Sequence, residues 1–365
     1  MKKRVLFVIN TPFCSAGVPH VIMTIVKGLS DECIFDLLIY SPSEERGDRE
    51  TEFLSYGGQI FRLTTLDYNS HKLLFMKRAY QIRAQVKKIL SQQNYDIVHC
   101  NNGIEAGIVL QVAKKMNVAI RISHAHGVYC RKGKNYLLRL YNWRNKCRIA
   151  RYSTNNIACS ESAGKSLFVG RAFTNVLNPV DVSIYSAVRF RKHESINLVQ
   201  IGYYCHNKNQ MMSLKVLKSL IEKGADAKLS FVGFICDRQY FEELTLYVKE
   251  NHLGGKVFFL DKDIDKREIF STTDFLLLPS YSEGLGITTL EAQAAGVKCV
   301  VSDSVPMDCD CGLVRFINNE NVSEWVSYIA MRDEIALKVD TEKMKKVDVP
   351  GYCCAIKEIY GLLQS

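Results

Sequence analysis

The sequence predicts an α/β protein built from two successive doubly wound halves. Three observations carry that prediction. Short apolar runs alternate with helical patterns, the alternation restarts after a polar stretch at residues 180–195, and 365 residues are enough for two cores at about 150 residues each. A composition of 47% hydrophobic and 24% charged residues with 7 prolines excludes an extended disordered or low-complexity chain. No apolar run reaches the roughly 18 residues that a membrane span needs. The opening MKKRVLFVIN breaks at Asn10 before any cleavage-site pattern, so secretion is not expected. The 13 cysteines are scattered with no C-x-x-C pair, and they read as reduced thiols of a cytosolic protein.

In the first half, residues 4–9 (RVLFVI) form an apolar run that passes through a loop at Gly17 into a helical pattern over 18–29. Strand, loop and helix in that order open a doubly wound sheet. Further strand-like runs at 35–40, 59–63, 97–100, 119–123 and 156–158 alternate with helical patterns such as 72–90 and 104–116. In the second half the strand-like runs are 197–201, 228–232, 257–260, 275–278 and 297–301, separated by helical patterns at 210–223, 238–250 and 288–295. The expected domains are therefore 1–181 and 182–350, with a terminal helix at 351–365 returning to the first half. Two such halves are expected to face a central cleft at the carboxyl ends of their strands, where doubly wound folds take ligands.

Charge divides unevenly between the halves. Residues 1–185 hold 26 Lys and Arg against 13 Asp and Glu, a net of +13, leaving 22 against 25, or −3, for the rest. The densest basic segment, 131–151, contains Arg131, Arg139, Arg144 and Arg148 among its cations and no acid, with Tyr136, Leu137, Leu140 and Trp143 interleaved. That composition suits either an interfacial helix against anionic lipid or a solvated helix face. A second basic run, from Lys72 to Lys88, lies on a predicted helix. No nucleic-acid motif accompanies the charge, so no nucleic-acid partner is expected.

The most informative segment is residues 279–296, PSYSEGLGITTLEAQAAG. It leaves an apolar strand, turns through Gly284 and Gly286, and enters a helix at about Thr288. A glycine-rich loop running into a helix N-terminus is an anion site, because the free amides of Ile287, Thr288 and Thr289 point outward at the positive end of the helix dipole. Glu283 and Glu291 are awkward beside phosphates unless each does something else. Accepting hydrogen bonds from a vicinal diol is the natural task; complementing the helix start is the plainer one.

This segment resembles the signature of the retaining glycosyltransferase family 4, two glutamates separated by seven residues in a glycine-rich loop followed by a helix, within the GT-B fold. The resemblance extends along the chain. IGYYCHNKNQ (201–210) resembles the family's G-R…K-N segment, IACSESAGKSLF (157–168) its C-S-E segment and LNPVD (177–181) its N-G-I-D segment. YDIVHCNN, RISHAHG and GYCCAIKEIYGLL also fit, most closely the branch that builds bacterial exopolysaccharide and capsule.

The resemblance implies a nucleotide-sugar donor site. Glu291 would bind the ribose, Glu283 the donor-sugar hydroxyls, and the backbone of Gly284, Leu285, Gly286, Ile287, Thr288 and Thr289 the sugar and phosphate. Lys208, with Gly202 and Tyr203, would meet the diphosphate, Gly17 would let the first loop approach it, and His126 would contact the sugar near the reacting carbon. Lysine and a helix N-terminus stabilise a leaving nucleoside diphosphate without a metal, so neither metal nor cofactor is expected. The implied reaction is retaining hexosyl transfer, by front-face attack, from a UDP-sugar to a lipid-linked saccharide at the cytoplasmic face of an anionic membrane. Arg131, Arg139, Trp143, Arg144 and Arg148 would serve that membrane and acceptor contact. A soluble acceptor, an epimerase and a catalytically silent sugar-nucleotide binding module stand as alternatives.

Three positions depart from the family pattern. Tyr203 stands where an arginine is usual, so one diphosphate cation is missing. The first loop has Ala16 before its single Gly17, and Gly286 stands where proline is common, which predicts a more flexible loop. SESAGKS lacks the first glycine of a phosphate-binding loop and reads as a strand-to-helix turn. His99 and His124 read as core or capping residues, and Trp143 and Trp325 as packing anchors. Asp308 and Asp310 read as loop polarity, not a metal pair.

Overall fold

The computed structural model describes residues 2–14, 17–41, 44, 46–65, 74–129 and 136–363. Ala16, Lys72 and Arg131 fall outside the described residues. The chain forms two units, Met1–Pro179 together with Val349–Ser365, and Val180–Asp348. The chain crosses between them two residues earlier, both times, than the sequence division implies. Outgoing and returning strands pair in the second unit: Val180 bridges Asp348, the Val180 amide donates to the Val347 carbonyl at 2.8 Å, and the Val182 amide donates to the Asp348 carboxylate at 3.1 Å.

Unit 1 holds seven parallel strands, β1 (Lys3–Ile9), β2 (Cys33–Ser41), β3 (Ile60–Thr64), β4 (Ile97–Cys100), β5 (Ile120–Ala125), β6 (Asn155–Ala158) and β7 (Thr174–Asn175), in the order β3-β2-β1-β4-β5-β6-β7. β4 and the inner part of β1 are buried on both faces, which is why they read as continuous apolar runs. The helix Gly17–Leu29 covers one face with Val21, Ile22, Ile25, Val26 and Leu29, a stripe at helical spacing. The final helix, Val349–Ile359, packs beside it. Gly28 makes that approach possible, because a Cβ there would lie 2.4 Å from Cys353 Sγ. Lys357 pairs with Glu32, and Lys3 Nζ donates to the Tyr360 and Gly361 carbonyls at the helix end.

Unit 2 holds six parallel strands, β8 (Ile196–Ile201), β9 (Ala227–Val232), β10 (Val257–Leu260), β11 (Phe275–Leu278), β12 (Lys298–Ser302) and β13 (Val314–Ile317), in the order β10-β9-β8-β11-β12-β13. Its core gathers Leu198, Leu229, Phe231, Phe275 and Leu277 around a fully buried Trp325. In each unit the strand order reverses beside the first strand, between β1 and β4 and between β8 and β11. Loops at the carboxyl ends of those pairs therefore diverge and leave room for a ligand.

Several expectations need correction. Residues 180–195 are not wholly irregular: Val182–Ser186 form a short helix whose N-terminus is capped by the Asp181 carboxylate on the Ile184 amide. Trp143 is 61% exposed and anchors nothing. Gly286 is not a point of looseness. Its φ of +89° is left-handed and starts the helix Ile287–Ala294, a conformation that proline cannot adopt. The twelve described cysteines are all free thiols.

Candidate functional site

In unit 2 the loops after β8 and β11 are stitched together. The Asn207 side-chain amide donates to the Ser282 carbonyl at 2.9 Å, the Tyr281 amide to the Asn207 carbonyl at 2.9 Å, and the Asn209 side chain to the Pro279 carbonyl at 3.3 Å. Asn209 takes a left-handed φ of 50° to start the helix Gln210–Glu222. These bonds bring Lys208 to Glu283, with Nζ 2.6 Å from Oε1. Gly202 lies against the same lysine, where a Cβ would sit 3.2 Å from Lys208 Cε. Gln200 fixes the loop from below by donating to the Lys208 carbonyl at 2.7 Å, and Ser213 holds Gln200.

One of the three expected free amides is occupied. The Thr289 amide donates to the Gly286 carbonyl at 2.9 Å, its hydroxyl does so at 2.6 Å, and the residue is fully buried. Thr289 therefore closes the turn from within, which leaves the first-turn amides of half-buried Ile287 and Thr288 as the candidates for an anion. Leu285 is buried beneath the turn. Gln293, buried one turn further on, ties the helix to residues 309–313: it donates to the Cys309 carbonyl and accepts from the Cys311 and Leu313 amides. Asp310 there accepts the Gly312 amide in a tight turn.

Glu291 lies buried on the same helix. Its carboxylate takes Lys266 Nζ at 2.9 and 2.7 Å on its two oxygens and the Tyr185 hydroxyl at 3.0 Å. Burial and the adjacent Glu291 charge push the Tyr185 hydroxyl far above its ordinary pKa, so it is a donor at every working pH. Tyr203 does not supply a cation. Its ring packs against Phe234 in a tilted contact, with centroids 4.2 Å apart.

In unit 1 the expected residue His126 lies at the end of a polar chain. The Tyr360 hydroxyl is 2.8 Å from His99 Nδ1, His99 Nε2 is 3.2 Å from His124 Nδ1, and the His124 ring meets the His126 ring in a tilted contact with centroids 3.8 Å apart. The Asn101 side chain donates to the His99 carbonyl, so its oxygen accepts from His126 Nε2 at 2.7 Å, which fixes the proton there. His126 Nδ1 is then a buried acceptor, and the Asn178 side chain interacts with the same imidazole. Burial pushes the His99 and His126 imidazoles down to about 3 and the His124 imidazole well below its ordinary value, so all three are neutral. Gly17 opens the first helix with open space around its Cα.

Two family models divide the chain along this architecture. The model described as Glycosyltransferase Family 4 matches residues 15–171, and that described as Glycosyl transferases group 1 matches 183–311. The chain belongs to glycosyltransferase family 4. Among curated relatives it is 26% identical over 348 residues to the putative glycosyltransferase EpsF of Bacillus subtilis, covering 90% of this chain and 87% of that protein. It is 24% identical to the capsular polysaccharide biosynthesis glycosyltransferase CapH of Staphylococcus aureus, over 74% and 73% of the two chains. It is 23% identical to the Escherichia coli UDP-Gal:alpha-D-GlcNAc-diphosphoundecaprenol alpha-1,3-galactosyltransferase, over 71% and 70%. Among solved structures, Anabaena HepE in complex with UDP superposes with a TM-score of 0.73 at 16% identity, covering 100% of both chains. That likeness is one of fold, and the fold is GT-B.

On this family-4 enzyme the basic helix is Tyr136–Tyr152. Asn145 and Ile149 face inward, whereas Tyr136, Leu140 and Trp143 form an exposed apolar stripe at helical spacing, with Leu137 beside it. Arg139 and Arg144 are exposed on its flanks. Arg148 is half-buried and donates to Asn145; burial, then Arg83 and Arg144, lower its pKa, so three cations crowd together. No helix among the described residues is long and apolar enough to cross a membrane.

Sequence reasoning missed Lys266, Tyr185 and the Tyr360–His99 link. The first two lie 25 and 106 positions from Glu291, and no local spacing marks either.

Proposed function

We propose that this glycosyltransferase moves a sugar from a UDP-sugar onto a lipid-linked saccharide in surface polysaccharide synthesis, with retention and without a metal. One observation carries the reading: Lys208 and Glu283 meet at 2.6 Å beside the left-handed Gly286 turn and the first amides of the helix Ile287–Ala294. A cation and two first-turn amides meet the diphosphate, Glu283 accepts sugar hydroxyls, and Glu291 accepts a ribose hydroxyl. As the glycosidic bond breaks, its electron pair leaves with UDP, where Lys208 and the helix start offset the growing negative charge. The acceptor hydroxyl attacks the same face of the sugar and the departing phosphate oxygen takes its proton. His126, a neutral imidazole after β5 in unit 1, keeps in this reading the role that the family resemblance implies, a contact to the transferred sugar.

The choice of UDP and of a lipid-linked acceptor is supported by the UDP bound to HepE and by the names of the galactosyltransferase relative and of a Campylobacter jejuni N,N'-diacetylbacillosaminyl-diphospho-undecaprenol alpha-1,3-N-acetylgalactosaminyltransferase, 34% identical over 95 residues. The exposed Tyr136, Leu140 and Trp143 with flanking Arg139 and Arg144 suit an anionic membrane face, where each cation contributes about 1 kcal/mol. Arg131 shares that assignment from sequence alone. A panel of radiolabelled UDP-sugars with polyprenyl-diphosphate saccharides tests the proposal: label passing into the organic phase supports it. Tyr203, turned into a ring contact, favours one rival, a binding module, and nucleotide binding with no transfer from any donor would establish that rival.

A further inference from the structure

Both glutamates of the signature carry a lysine. Lys208 Nζ sits 2.6 Å from Glu283, and Lys266 Nζ sits 2.7 and 2.9 Å from the two oxygens of Glu291. Lys266 opens the helix Lys266–Phe270, whose N-terminus is capped by Asp265, so its backbone is fixed by contacts independent of Glu291. Tyr185, from the short helix that Asp181 caps, holds the same carboxylate from another element. The Glu291 carboxylate is thus gripped by two groups on separately anchored helices. Two questions follow: why a buried carboxylate is tolerated next to a diphosphate site, and what fixes its direction.

We propose that Lys266 is a positioning residue for donor binding, which cancels the Glu291 charge where the diphosphate must approach and, with Tyr185, aims the carboxylate at the ribose diol. The inference rests on the donor-site reading above and adds two residues to it. Unpaired, Glu291 would repel a diphosphate a few ångströms beyond the ribose it binds. At such a separation, with an effective dielectric constant between those of surface and water, one carboxylate against the diphosphate charge changes affinity by about tenfold. With Lys266 in place the pair is neutral, and Glu291 keeps one acceptor lone pair, on Oε2, for a ribose hydroxyl, because Lys266 and Tyr185 take the other three. Lysine suits this task, since its compact charge bridges both oxygens without the planar fork that would cover them.

The test is calorimetric titration of the full chain with two probes, UDP and uridine. Lys266→Met is expected to weaken UDP binding about tenfold and uridine binding by less than threefold, so the preference for UDP over uridine falls. Lys266→Arg should restore most of that preference. In a Glu291→Gln background, where no charge needs cancelling, Lys266→Met should change UDP binding by less than threefold. An equal loss of UDP binding in both backgrounds would show Lys266 touching the diphosphate directly and overturn the proposal. So would unchanged UDP binding in Lys266→Met, or equal losses for UDP and uridine. Thermal melting of each variant separates loss of binding from loss of fold, and Tyr185→Phe supplies a milder variant if Lys266→Met does not fold: it should weaken both probes alike, and a loss confined to UDP would count against the proposal. A wild-type chain that binds neither probe overturns the donor-site reading itself, and this inference with it.

Discussion

Replacing Glu291 by alanine is expected to raise the dissociation constant of UDP-sugar far more than it slows turnover of bound donor. The ribose lies away from the breaking bond, so its contact contributes equally to ground state and transition state. Loss of a hydrogen bond to a charged partner costs about 1.5 to 3 kcal/mol, or roughly 10- to 150-fold in affinity. The structure adds a second consequence. Glu291 accepts from Lys266 and Tyr185, so alanine removes both bonds; the two donors are half-buried and can turn to water, which limits the cost to about 1 kcal/mol. The variant should therefore melt a few degrees lower than the wild type as well as bind less tightly. Glu291→Gln keeps the shape and one acceptor, and it should recover most of the stability but not the affinity. Titration with UDP gives the first quantity, and single-turnover transfer at saturating labelled donor gives the second. An unchanged dissociation constant in a folded variant would remove Glu291 from the ribose. A hundredfold slower single turnover at unchanged affinity would place it at the reacting centre instead.

Chelation with EDTA is expected to leave transfer activity intact, and activity lost to EDTA and restored by manganese would refute the metal-free reading. Vesicles of anionic lipid should co-sediment the protein at low salt and release it at high salt, and Arg139→Glu with Arg144→Glu should abolish that binding while UDP affinity is kept; equal recovery in the supernatant with and without anionic lipid would refute it. Gly286→Ala puts a side chain on a left-handed residue whose Cβ would lie 3.3 Å from Leu278, so it should cost about 1 to 2 kcal/mol and lower the melting temperature by a few degrees. His99, with a pKa near 3 in the fold against 6.5 when unfolded, takes up protons on unfolding throughout that interval. Stability should accordingly fall as pH drops from about 6.5 toward 3, and His99→Phe should flatten the melting-temperature profile over that range.

The alternation of apolar runs and helical patterns located most strands because parallel strands covered on both faces are largely apolar, as the inner part of β1 and β11 are. Elements with other sources of stability left weaker traces. β7 is two exposed residues at a sheet edge, held by pairing with β6, and nothing in Thr174 or Asn175 announces it. The helix Val182–Ser186 has too few residues for a period; its one signal is Asp181, a cap that also reads as part of a polar linker. Within the site, the glycine turn into the helix at Ile287 was legible because its chemistry is local, whereas Lys208 was singled out by the family resemblance alone. Thr289 was misjudged because a first-turn amide looks free in sequence until the preceding carbonyl bends back to take it.

The two units use the same strand order for different chemistry. Beyond the carboxyl ends of β8, β10 and β11 the side chains are charged and compensated, Lys208 with Glu283 and Lys266 with Glu291. At the ends of β4 and β5 they are neutral: His99, His124 and His126 with burial-lowered pKa values, and Asn101, whose oxygen holds His126. Cations and amides suit a diphosphate, because its charge survives burial only when it is met by opposite charge. Neutral acceptors suit hydroxyl groups, which lose little on leaving water if each proton finds a lone pair. Unit 1 also carries exposed cations, Arg139 and Arg144, on the helix that exposes Trp143. If saccharide recognition in unit 1 uses these neutral groups, then Tyr360→Phe, which takes the hydroxyl from His99 Nδ1 and leaves the ring packed, should raise KM for the acceptor without changing UDP affinity. A change confined to UDP affinity would instead assign the histidine chain to the donor.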